Sequence, residues 1–563
     1  MGDNIWYLIL GIAVLSVLVY SLLTAGRRRK QKILSRIKAG FGSLPDREYT
    51  EEELKKIRTY FDAVHQEGTF AVDDVTWHDL HLDEIFMTLN ETFSSCGEEE
   101  LYRILREPCF DAGELKERDR VISYFSEHPD VRAALQYEFA CIGRTKKVAL
   151  IQYINEFQSL ELRPSILHLL PILMLLFSVG LCFVHIMAGI LALLLTIILN
   201  IISYYRIKSM LEPWYVSLSA VAYLVNGALR VSKGEIPELE SYLETLRREA
   251  GPLSSIRRNT KWLGSNSQGV ISMDLFEILM DYLRMLTHFD FIVFNHMVRQ
   301  VLKNEEHVLN LMHTLGYLEA MIAAASFRKM IPFYTAGSFD HEKPHLSLKN
   351  GFHVLVREPV ANSISVDRPV LLTGSNASGK STFLRMTALA VLLGETIATA
   401  PATSLSSSFF RIYSSMALSD DLLSGESYFI VEIKSLKRIM DALDGDIPVL
   451  SFVDEVLRGT NTVERISASS QILKKFAETG SMIFAATHDI ELTTLLEPYF
   501  ENYHFEEQVE GDTVRFDYIL RPGKATSRNA IRLLGMMGYE EDVIGKAEES
   551  AERFTKEGIW ILS

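Results

Sequence analysis

The stretch 369–382, PVLLTGSNASGKST, limits the fold of this chain more than any other part of it. The apolar run Val370–Leu372 predicts a short buried strand, and the pattern over Phe383–Leu393 predicts a helix. Between these two elements lies the spacing G-x-x-x-x-G-K-[ST], which runs from Gly374 to Ser381. A strand, a glycine-rich loop and a helix in this order are the context in which that spacing predicts a phosphate-binding loop of an α/β domain.

The residue types in this loop match the chemistry of phosphate binding. Gly374 and Gly379 allow the backbone to turn so that its N–H groups face phosphate oxygens at the positive end of the helix. We expect Lys380 to reach the β- and γ-phosphates and Ser381 to hold Mg²⁺. A chance match in a loop rich in Gly and Ser is the alternative, and the flanking strand and helix argue against it. The predicted phosphate-contacting residues are Gly374, Ser375, Asn376, Ala377, Ser378, Gly379, Lys380, Ser381 and Thr382.

Two further apolar runs end in groups that suit phosphoryl transfer. Asp454 follows one run and suits the Mg²⁺ shell, while the adjacent Glu455 suits a base that polarises an attacking water. Phosphoryl transfer depends mainly on positioning and electrostatics, so two carboxylates beside the γ-phosphate are sufficient. His488 ends the other run, and we predict that it contacts the γ-phosphate; a structural role is the alternative.

A Ser-Gly-rich turn at 424–429 precedes a predicted helix over Phe429–Leu443. A turn that opens a helix is a second geometry that binds phosphate. The alternative is a simple helix cap made by Ser427.

Two uncharged segments are long enough to cross a bilayer. Ile5–Ala25 carries no charge and is followed by the basic residues Arg27–Lys30, which predicts an anchor with the cytoplasm on its C-terminal side. A cleaved signal peptide is the alternative, but its charge normally precedes the apolar run. Ile166–Tyr205 has no Asp, Glu, Lys or Arg, which predicts a hairpin of two spanning helices with a turn between Gly180 and Gly189. We therefore expect a multi-pass protein of the cell membrane with about three spans.

Composition excludes two classes of protein. The net charge of −15 argues against a general nucleic-acid coat, although it leaves room for a local basic patch. The four cysteines are widely scattered, which predicts neither a disulfide framework nor a zinc site and fits a reducing cytosol.

Four segments in order resemble the MutS family, the ABC-type ATPases of DNA mismatch recognition. They read GSNASGKSTFLR from 374, DDLLSGESYFIVEI at 420–433, VDEVLRGTNTVE at 453–464 and AATHDIEL at 485–492. The tail at 520–538 is similar as well, so the resemblance covers about 340–550. It implies ATP and Mg²⁺ as ligands and a dimer, homodimeric in our expectation. It also implies that Ser427 faces the nucleotide of the partner chain.

Upstream the resemblance is weaker, and the chain departs from the family pattern. Residues 89–125 look like the start of the MutS core, or lever, domain, and Leu311–Arg328 looks like its last helix. The membrane hairpin occupies the place of the DNA clamp, and the anchor stands where the mismatch-reading domain is expected. Val360 replaces the aromatic residue that usually precedes Ala-Asn and stacks on adenine. We therefore expect weaker base contact, made by Val360 and Asn362.

The predicted fold is multidomain. It consists of an α-helical transmembrane anchor and hairpin, an all-α MutS-core-like lever region and a C-terminal α/β P-loop (ABC-type) ATPase domain. The predicted boundaries are an anchor at 1–26, helical halves at 27–163 and 207–334, the hairpin at 164–206 and a cytoplasmic ATPase domain at 335–563.

Three functions compete on these grounds. The first is a membrane-anchored MutS-like ATPase whose dimer closure moves the helical levers and, through them, the hairpin. The second is a membrane-tethered DNA-binding protein of the repair type, favoured by the small basic groups Arg144, Lys146, Lys147, Arg257, Arg258 and Lys261. The third is an ABC transporter subunit, which is weakened because three spans are too few for a translocation path.

Overall fold

The computed structural model describes residues 27–28, 30–145, 149–160, 164–259, 275–375, 378–416, 428–510, 513–525, 531, 534 and 538–557. The predicted anchor at 1–26 lies outside these residues. The chain is mostly helical up to about residue 330 and then forms an α/β region. It divides into two compact units whose sequences are interleaved.

The first unit is helical and comprises the described residues up to Glu67, Leu89–Arg103 and Val121–Ser326. Together with the short segments that pass to the second unit, the helices in this part of the chain are α1 (30–40), α2 (Glu51–Val64), α3 (Asp74–Asp79), α4 (Leu82–Leu89), α5 (Ser95–Arg106), α6 (Ala112–Glu127), α7 (Pro129–Ile142), α8 (Leu150–Ser159), α9 (Leu170–Val184), α10 (Ile186–Val231), α11 (Glu240–Ala250), α12 (Ser254–Asn259), α13 (Leu275–Thr287), α14 (Phe289–Lys303) and α15 (Glu305–Met330).

The apolar hairpin has its turn at one residue. α9 ends at Val184, α10 begins at Ile186, and His185 between them caps α10 by accepting from the Ala188 N–H. The turn therefore lies within the predicted interval. The whole of α10 is 46 residues long, about 70 Å at 1.5 Å per residue. The predicted boundary at 206 therefore falls inside one helix.

Three helices are long and apolar enough to cross a membrane, judged by length and composition within the described residues. Ser165–Val184 and Ile186–Glu212 have mean hydropathies of 2.4 and 2.6, and only 17% of each apolar window is buried. The third, Glu305–Met330, is 78% buried. It is α15, which packs in the core of the first unit: a Cβ on Gly316 would lie 2.4 Å from the Cys96 carbonyl oxygen.

The second unit comprises Gly68–Thr88, Ile104–Arg120 and Phe327–Ser563. Two short upstream segments thus belong with the C-terminal region, which the linear boundaries predicted from the sequence do not capture. Its strands are β1 (Ser338–Asp340), β2 (Leu346–Gly351), β3 (Asn362–Val366), β4 (Val370–Thr373), β5 (Ser404–Ser408), β6 (Arg411–Ser415), β7 (Val449–Asp454), β8 (Met482–Ala486), β9 (Glu501–His504), β10 (Glu507–Glu510), β11 (Thr513–Phe516) and β12 (Arg521–Pro522). Its C-terminal helices are α16 (Lys380–Ile397), α17 (Tyr428–Asp441), α18 (Thr462–Glu478), α19 (Ile490–Leu495) and α20 (Glu541–Glu557).

The main sheet of this unit has six strands in the order β12-β9-β4-β8-β7-β6. β9, β4, β8, β7 and β6 are parallel to their neighbours, and β12 pairs antiparallel at the edge. β4 and β8 are buried along their whole length, as expected for strands of a parallel sheet covered on both faces. A second sheet, in the order β1-β5-β2-β3, and the β10–β11 hairpin complete the strands.

Candidate functional site

The parallel strands bring the predicted site residues to one edge of the main sheet. In the register of β8, Ala486 pairs with Leu372 of β4 and with Asp454 of β7. The glycine loop after β4, the carboxylates at the end of β7 and the histidine after β8 therefore follow neighbouring strand ends. Ligands of open α/β sheets bind at this carboxyl edge.

A cavity of about 600 Å³ lies at this edge. That volume is within the range of small-molecule sites. It is lined by His353, Val356, Glu358, Pro359, Val360, Asn362, Ser378, Gly379, Lys380, Ser381, Thr382, Phe383, Met386, Met416, Asp454, Glu455, Arg458, Phe505 and Tyr518.

The glycine loop has a backbone that other residues do not adopt without strain. Gly374 has φ +147°, and a Cβ there would lie 2.9 Å from the Ser378 Oγ and 3.0 Å from the Phe505 carbonyl oxygen. Gly379 has φ +105° and stands at the N-cap of α16. Both positions require the conformational freedom of glycine. Asn376 and Ala377, which we predict to contact phosphate, lie outside the described residues.

Lys380 is the first residue of α16, and its side chain folds back over the loop. Its Nζ donates to the carbonyl oxygens of Gly374 and Ser375, at 2.9 Å each, and lies 3.4 Å from the His488 Nε2. Burial lowers the pKa of Lys380, and the charges of Asp454, Glu455 and Glu507 oppose that shift. The ammonium is thus held beside the loop by neutral carbonyl groups.

Ser381 and Asp454 form the predicted metal pair. The Ser381 hydroxyl donates directly to the Asp454 Oδ2. A hydroxyl and a carboxylate side by side are the hard oxygen ligands that Mg²⁺ prefers, and Mg²⁺ commonly takes few ligands from the protein. The pair fits that ion. Within the described ranges, no group of three or more His, Cys, Asp or Glu side chains could hold a metal.

Glu455 has a left-handed backbone conformation, and its two carboxylate oxygens each have a charged or polar partner. Its φ is +62°, which is uncommon for a residue with a Cβ and typical of functional sites. Its Oε1 lies 3.0 Å from the His488 Nε2, and its Oε2 lies 3.0 Å from the Arg458 Nε. The hydrogen bond with His488 lowers the pKa of Glu455, with the charges of Arg458 and Lys380 acting in the same direction. The carboxyl group is therefore ionised at neutral pH.

Ser427 lies outside the described residues, so the structure does not test its position. The helix that follows it is described and contacts the loop after Glu455. The Glu432 Oε1 of α17 accepts the Arg458 N–H at 3.2 Å, and a Cβ on Gly459 would lie 3.1 Å from the Phe429 Cβ. Residues of the second and third resembling segments are thus packed together.

Comparison with known proteins identifies this C-terminal region. A family model described as MutS domain V matches residues 370–555, from the strand before the glycine loop to the last described helix. Residues 370–555 therefore belong to the MutS domain V family.

Curated MutS proteins also match part of the chain. The DNA mismatch repair protein MutS of Natronomonas pharaonis is 33% identical over 232 residues, which is 38% of this chain and 27% of that protein. The DNA mismatch repair protein MutS of Thermotoga maritima is 30% identical over 271 residues, which is 46% of this chain and 34% of that protein. The chain thus spans about a third or less of the length of these MutS relatives.

Sequence analysis missed several residues that line this cavity, among them His353, Met416 and Tyr518. Tyr518 follows β11, lines the cavity and has φ +55°. Asn362 fixes its loop, because the Asn362 Nδ2 donates to the Tyr518 carbonyl at 2.9 Å and the Asn362 Oδ1 accepts the Leu520 N–H at 2.8 Å. Val360 and Asn362 both line the cavity, and Asn362 in addition fixes the backbone beside Tyr518. An aromatic residue two positions after the Arg-Phe of β11 is too weak a signal to find from sequence.

Proposed function

We propose that this chain is a membrane-anchored MutS-like ATPase that binds ATP with Mg²⁺ and hydrolyses it. The observation that carries the proposal is the convergence of Lys380, the Ser381–Asp454 pair and Glu455 on one cavity of nucleotide size. These groups follow the ends of two strands, β4 and β7, and supply positive charge, a metal site and a base. Phosphoryl transfer requires little else from the protein.

Lys380 binds the phosphates. Lys380 is 6% exposed, and its ammonium bonds to two loop carbonyls, so it is already oriented beside the loop amides. Phosphate oxygens are stronger acceptors for this cation than neutral carbonyls are. Lys380 therefore turns from the loop to the ligand when a nucleotide binds.

Ser381 and Asp454 hold Mg²⁺. When bound, the ion neutralises the charge that develops on the transferred phosphoryl group. The Ser381 hydroxyl and the Asp454 carboxylate, which bond to each other, would be the ligands that the protein offers to the ion.

Glu455 orients and polarises the attacking water. It is ionised at neutral pH and fixed by Arg458 and His488, so its free lone pairs have a defined direction. His488 links this base to Lys380, since its Nε2 lies near both side chains. His488 is therefore suited to sense the γ-phosphate through the two groups that handle it.

The hairpin of α9 and α10 crosses the membrane. Large apolar side chains are exposed along the hairpin, with Phe183 88% and Val184 83% exposed. Soluble proteins seldom expose a continuous apolar surface of this kind. The polar groups face inward, because the Ser178 and Thr196 hydroxyls bond to each other at 2.9 Å and are nearly buried. Arg163 and Arg206 at the two ends favour cytoplasm on both flanks.

The active form is a dimer in which each nucleotide site is shared. One chain supplies Lys380, Ser381 and Glu455, and the other supplies Ser427 and the start of α17. Closure of the dimer on ATP moves the helical region, and α10 is one continuous helix between that region and the hairpin. This arrangement is inferred from family resemblance.

A role in DNA binding is the second candidate, and it rests on the names of the MutS relatives. Arg144, one of the basic residues that favour DNA binding, already forms an ion pair within the protein: its Nε lies 2.9 Å from the Glu98 Oε2. A gel shift with the purified full-length protein in detergent, at low and high salt, separates the candidates. Salt-sensitive retention of DNA supports the repair role, and no shift at low salt excludes it.

Equilibrium binding of ATP tests the ATPase proposal. The wild-type protein should bind ATP and release phosphate only with Mg²⁺. Lys380→Ala should lose nucleotide binding, because the cation that faces the phosphates is gone. Lys437→Ala, an exposed lysine of α17 that pairs with Asp441, is the control and should bind normally. Equal binding by Lys380→Ala and wild type would contradict the site.

A further inference from the structure

An upstream segment of the second unit contacts the nucleotide cavity's supporting elements. Gly68–Thr88 belongs to this unit and contains the six-residue helix α3, which Asp73 caps by accepting the Thr76 N–H at 2.8 Å. The last residue of α3 is Asp79, and it is 1% exposed. A buried carboxylate requires strong hydrogen bonds to offset its lost hydration.

Asp79 finds these bonds on strand β6. Its Oδ2 accepts from the Ser414 Oγ at 2.7 Å and from the Met416 N–H at 2.9 Å. One turn earlier, the Thr76 Oγ1 accepts the Ser414 N–H at 3.0 Å. The Asp79 and Ser414 side chains are 335 residues apart in sequence, so this contact depends on the tertiary fold.

The location of β6 explains why it needs these acceptors. It is the edge strand of the six-stranded sheet and pairs with β7 on one side only. The N–H groups on its outer side have no strand to bond to, and buried donors without partners are costly. Side chains of α3 take the place of the missing strand.

The main chain of Asp79 reaches a second element. Its carbonyl oxygen accepts from the Arg385 Nε at 2.7 Å, and Arg385 lies on α16, the helix that begins at Lys380. The Arg385 charge also acts on His353, where it helps burial to lower the pKa. His353 and Met416 both line the cavity.

We propose that Asp79 is a positioning residue of the nucleotide cavity. Its carboxylate fixes the backbone of Met416 at the cavity wall, and its carbonyl holds the helix that carries the phosphate-binding lysine. The inference rests on the proposed ATPase function and adds a residue that lies outside the span matched by the family model.

Position and charge can be separated with two variants of Asp79. Asp79→Asn keeps an acceptor oxygen at the same place and removes the charge. Asp79→Glu keeps the charge and moves the acceptor by one methylene. If Asp79 acts by the position of its acceptor oxygen, Asp79→Asn leaves the KM for ATP within about threefold of wild type. Asp79→Glu raises that KM on the order of tenfold. Met416 carries no reacting group, so kcat changes by less than about threefold in both.

A matched control addresses the edge strand itself. Thr76→Val removes the acceptor for the Ser414 N–H on the same helix and strand but does not touch Met416. It should lower the melting temperature and leave KM within about twofold of wild type, because it affects only the sheet edge. A purely structural role for Asp79 predicts the same pattern for Asp79→Glu.

The experiment measures kcat, KM and melting temperature of the full-length wild type and the three variants in detergent. The inference is supported if Asp79→Glu raises KM while Asp79→Asn and Thr76→Val do not. It is overturned if Asp79→Asn raises KM as much as Asp79→Glu does, or if Asp79→Glu lowers only the melting temperature. A wild type that does not hydrolyse ATP contradicts the proposed function, and the inference with it. An active wild type with unchanged Asp79→Glu contradicts the inference alone.

Discussion

His353 illustrates how one buried residue sets a pH dependence. It lies on the cavity wall and is 7% exposed. Burial lowers the pKa of His353 to about 4, and the charges of Arg385 and His81 act in the same direction. The unfolded chain binds a proton near pH 6.5, so it takes up more protons than the folded chain between pH 6.5 and 4. Stability is therefore lost as the pH falls through this window.

The size of this effect is measurable. A shift from 6.5 to about 4 corresponds to about 3 kcal/mol. The His353→Gln variant lacks this penalty, so its melting temperature relative to wild type should rise as the pH is lowered from about 7 to about 4.5. His78→Gln, at an exposed position of α3, is the control for the substitution. A constant difference between His353→Gln and wild type at all pH values would show that His353 is not buried in its neutral form.

Residues that carry the motif could be predicted, whereas several that only line the cavity, such as His353 and Met416, could not. Lys380, Ser381, Asp454 and Glu455 are fixed relative to strand ends, and strand ends can be read from short apolar runs. Tyr518 lines the cavity, and Asp79 contacts the lining residue Met416, through a fold that joins segments distant in sequence. No local spacing or period marks such contacts.

At the scale of elements, the glycine loop is the part whose geometry is most restricted. Gly374→Ala places a Cβ 2.9 Å from the Ser378 Oγ and 3.0 Å from the Phe505 carbonyl oxygen, at φ +147°. The strain should cost roughly 1–3 kcal/mol, which raises the dissociation constant for ATP by about five- to a hundredfold. Isothermal titration of the purified protein measures this change.

Gly480→Ala is the matched control for that substitution. Gly480 also has a positive φ, +72°, but nothing lies within 4 Å of the position that a Cβ would take, and the residue follows α18 away from the cavity. It should lower stability by about 1 kcal/mol and leave ATP binding unchanged. Equal affinity of Gly374→Ala and Gly480→Ala would argue against a nucleotide in this loop.

The elements also show where hydropathy stops being informative. Forty uncharged residues predict two helices and a turn, and the turn is found at His185. They do not predict that α10 continues to Val231, because hydropathy reports membrane thickness and not helix length. Similarly, α15 passes a hydropathy test for a span, but its burial shows that it is a core helix.

At the scale of the whole molecule, the proposed membrane topology is open to direct test. His185 is exposed at the hairpin turn, and Ser241 is exposed on α11. In a chain with Cys182→Ser, an impermeant thiol reagent should label His185→Cys in intact cells and label Ser241→Cys only after lysis. Cys96 and Cys109 are buried and give little background. Labelling of Ser241→Cys in intact cells would reverse the topology.

The proposal that two chains share each nucleotide site can be tested by mixing defective chains. Lys380→Ala removes ATP binding, and Ser427→Arg removes the partner's contribution, so each variant should be inactive alone. Coexpression should restore roughly a quarter of wild-type activity, because half of randomly formed dimers are mixed and each has one complete site. No recovery, together with a monomeric mass in detergent, would exclude a shared site.

The most direct test of the account is the fate of ATP on Glu455→Gln. The variant keeps Lys380 and the Ser381–Asp454 pair but replaces the base with a neutral amide of nearly the same shape. We predict that it binds ATP with Mg²⁺ as wild type does and that turnover falls by about a hundredfold or more. Bound nucleotide recovered after incubation should be ATP in the variant and ADP in wild type. Turnover at the wild-type rate would contradict the claim that Glu455 is the base of an ATP-hydrolysing site.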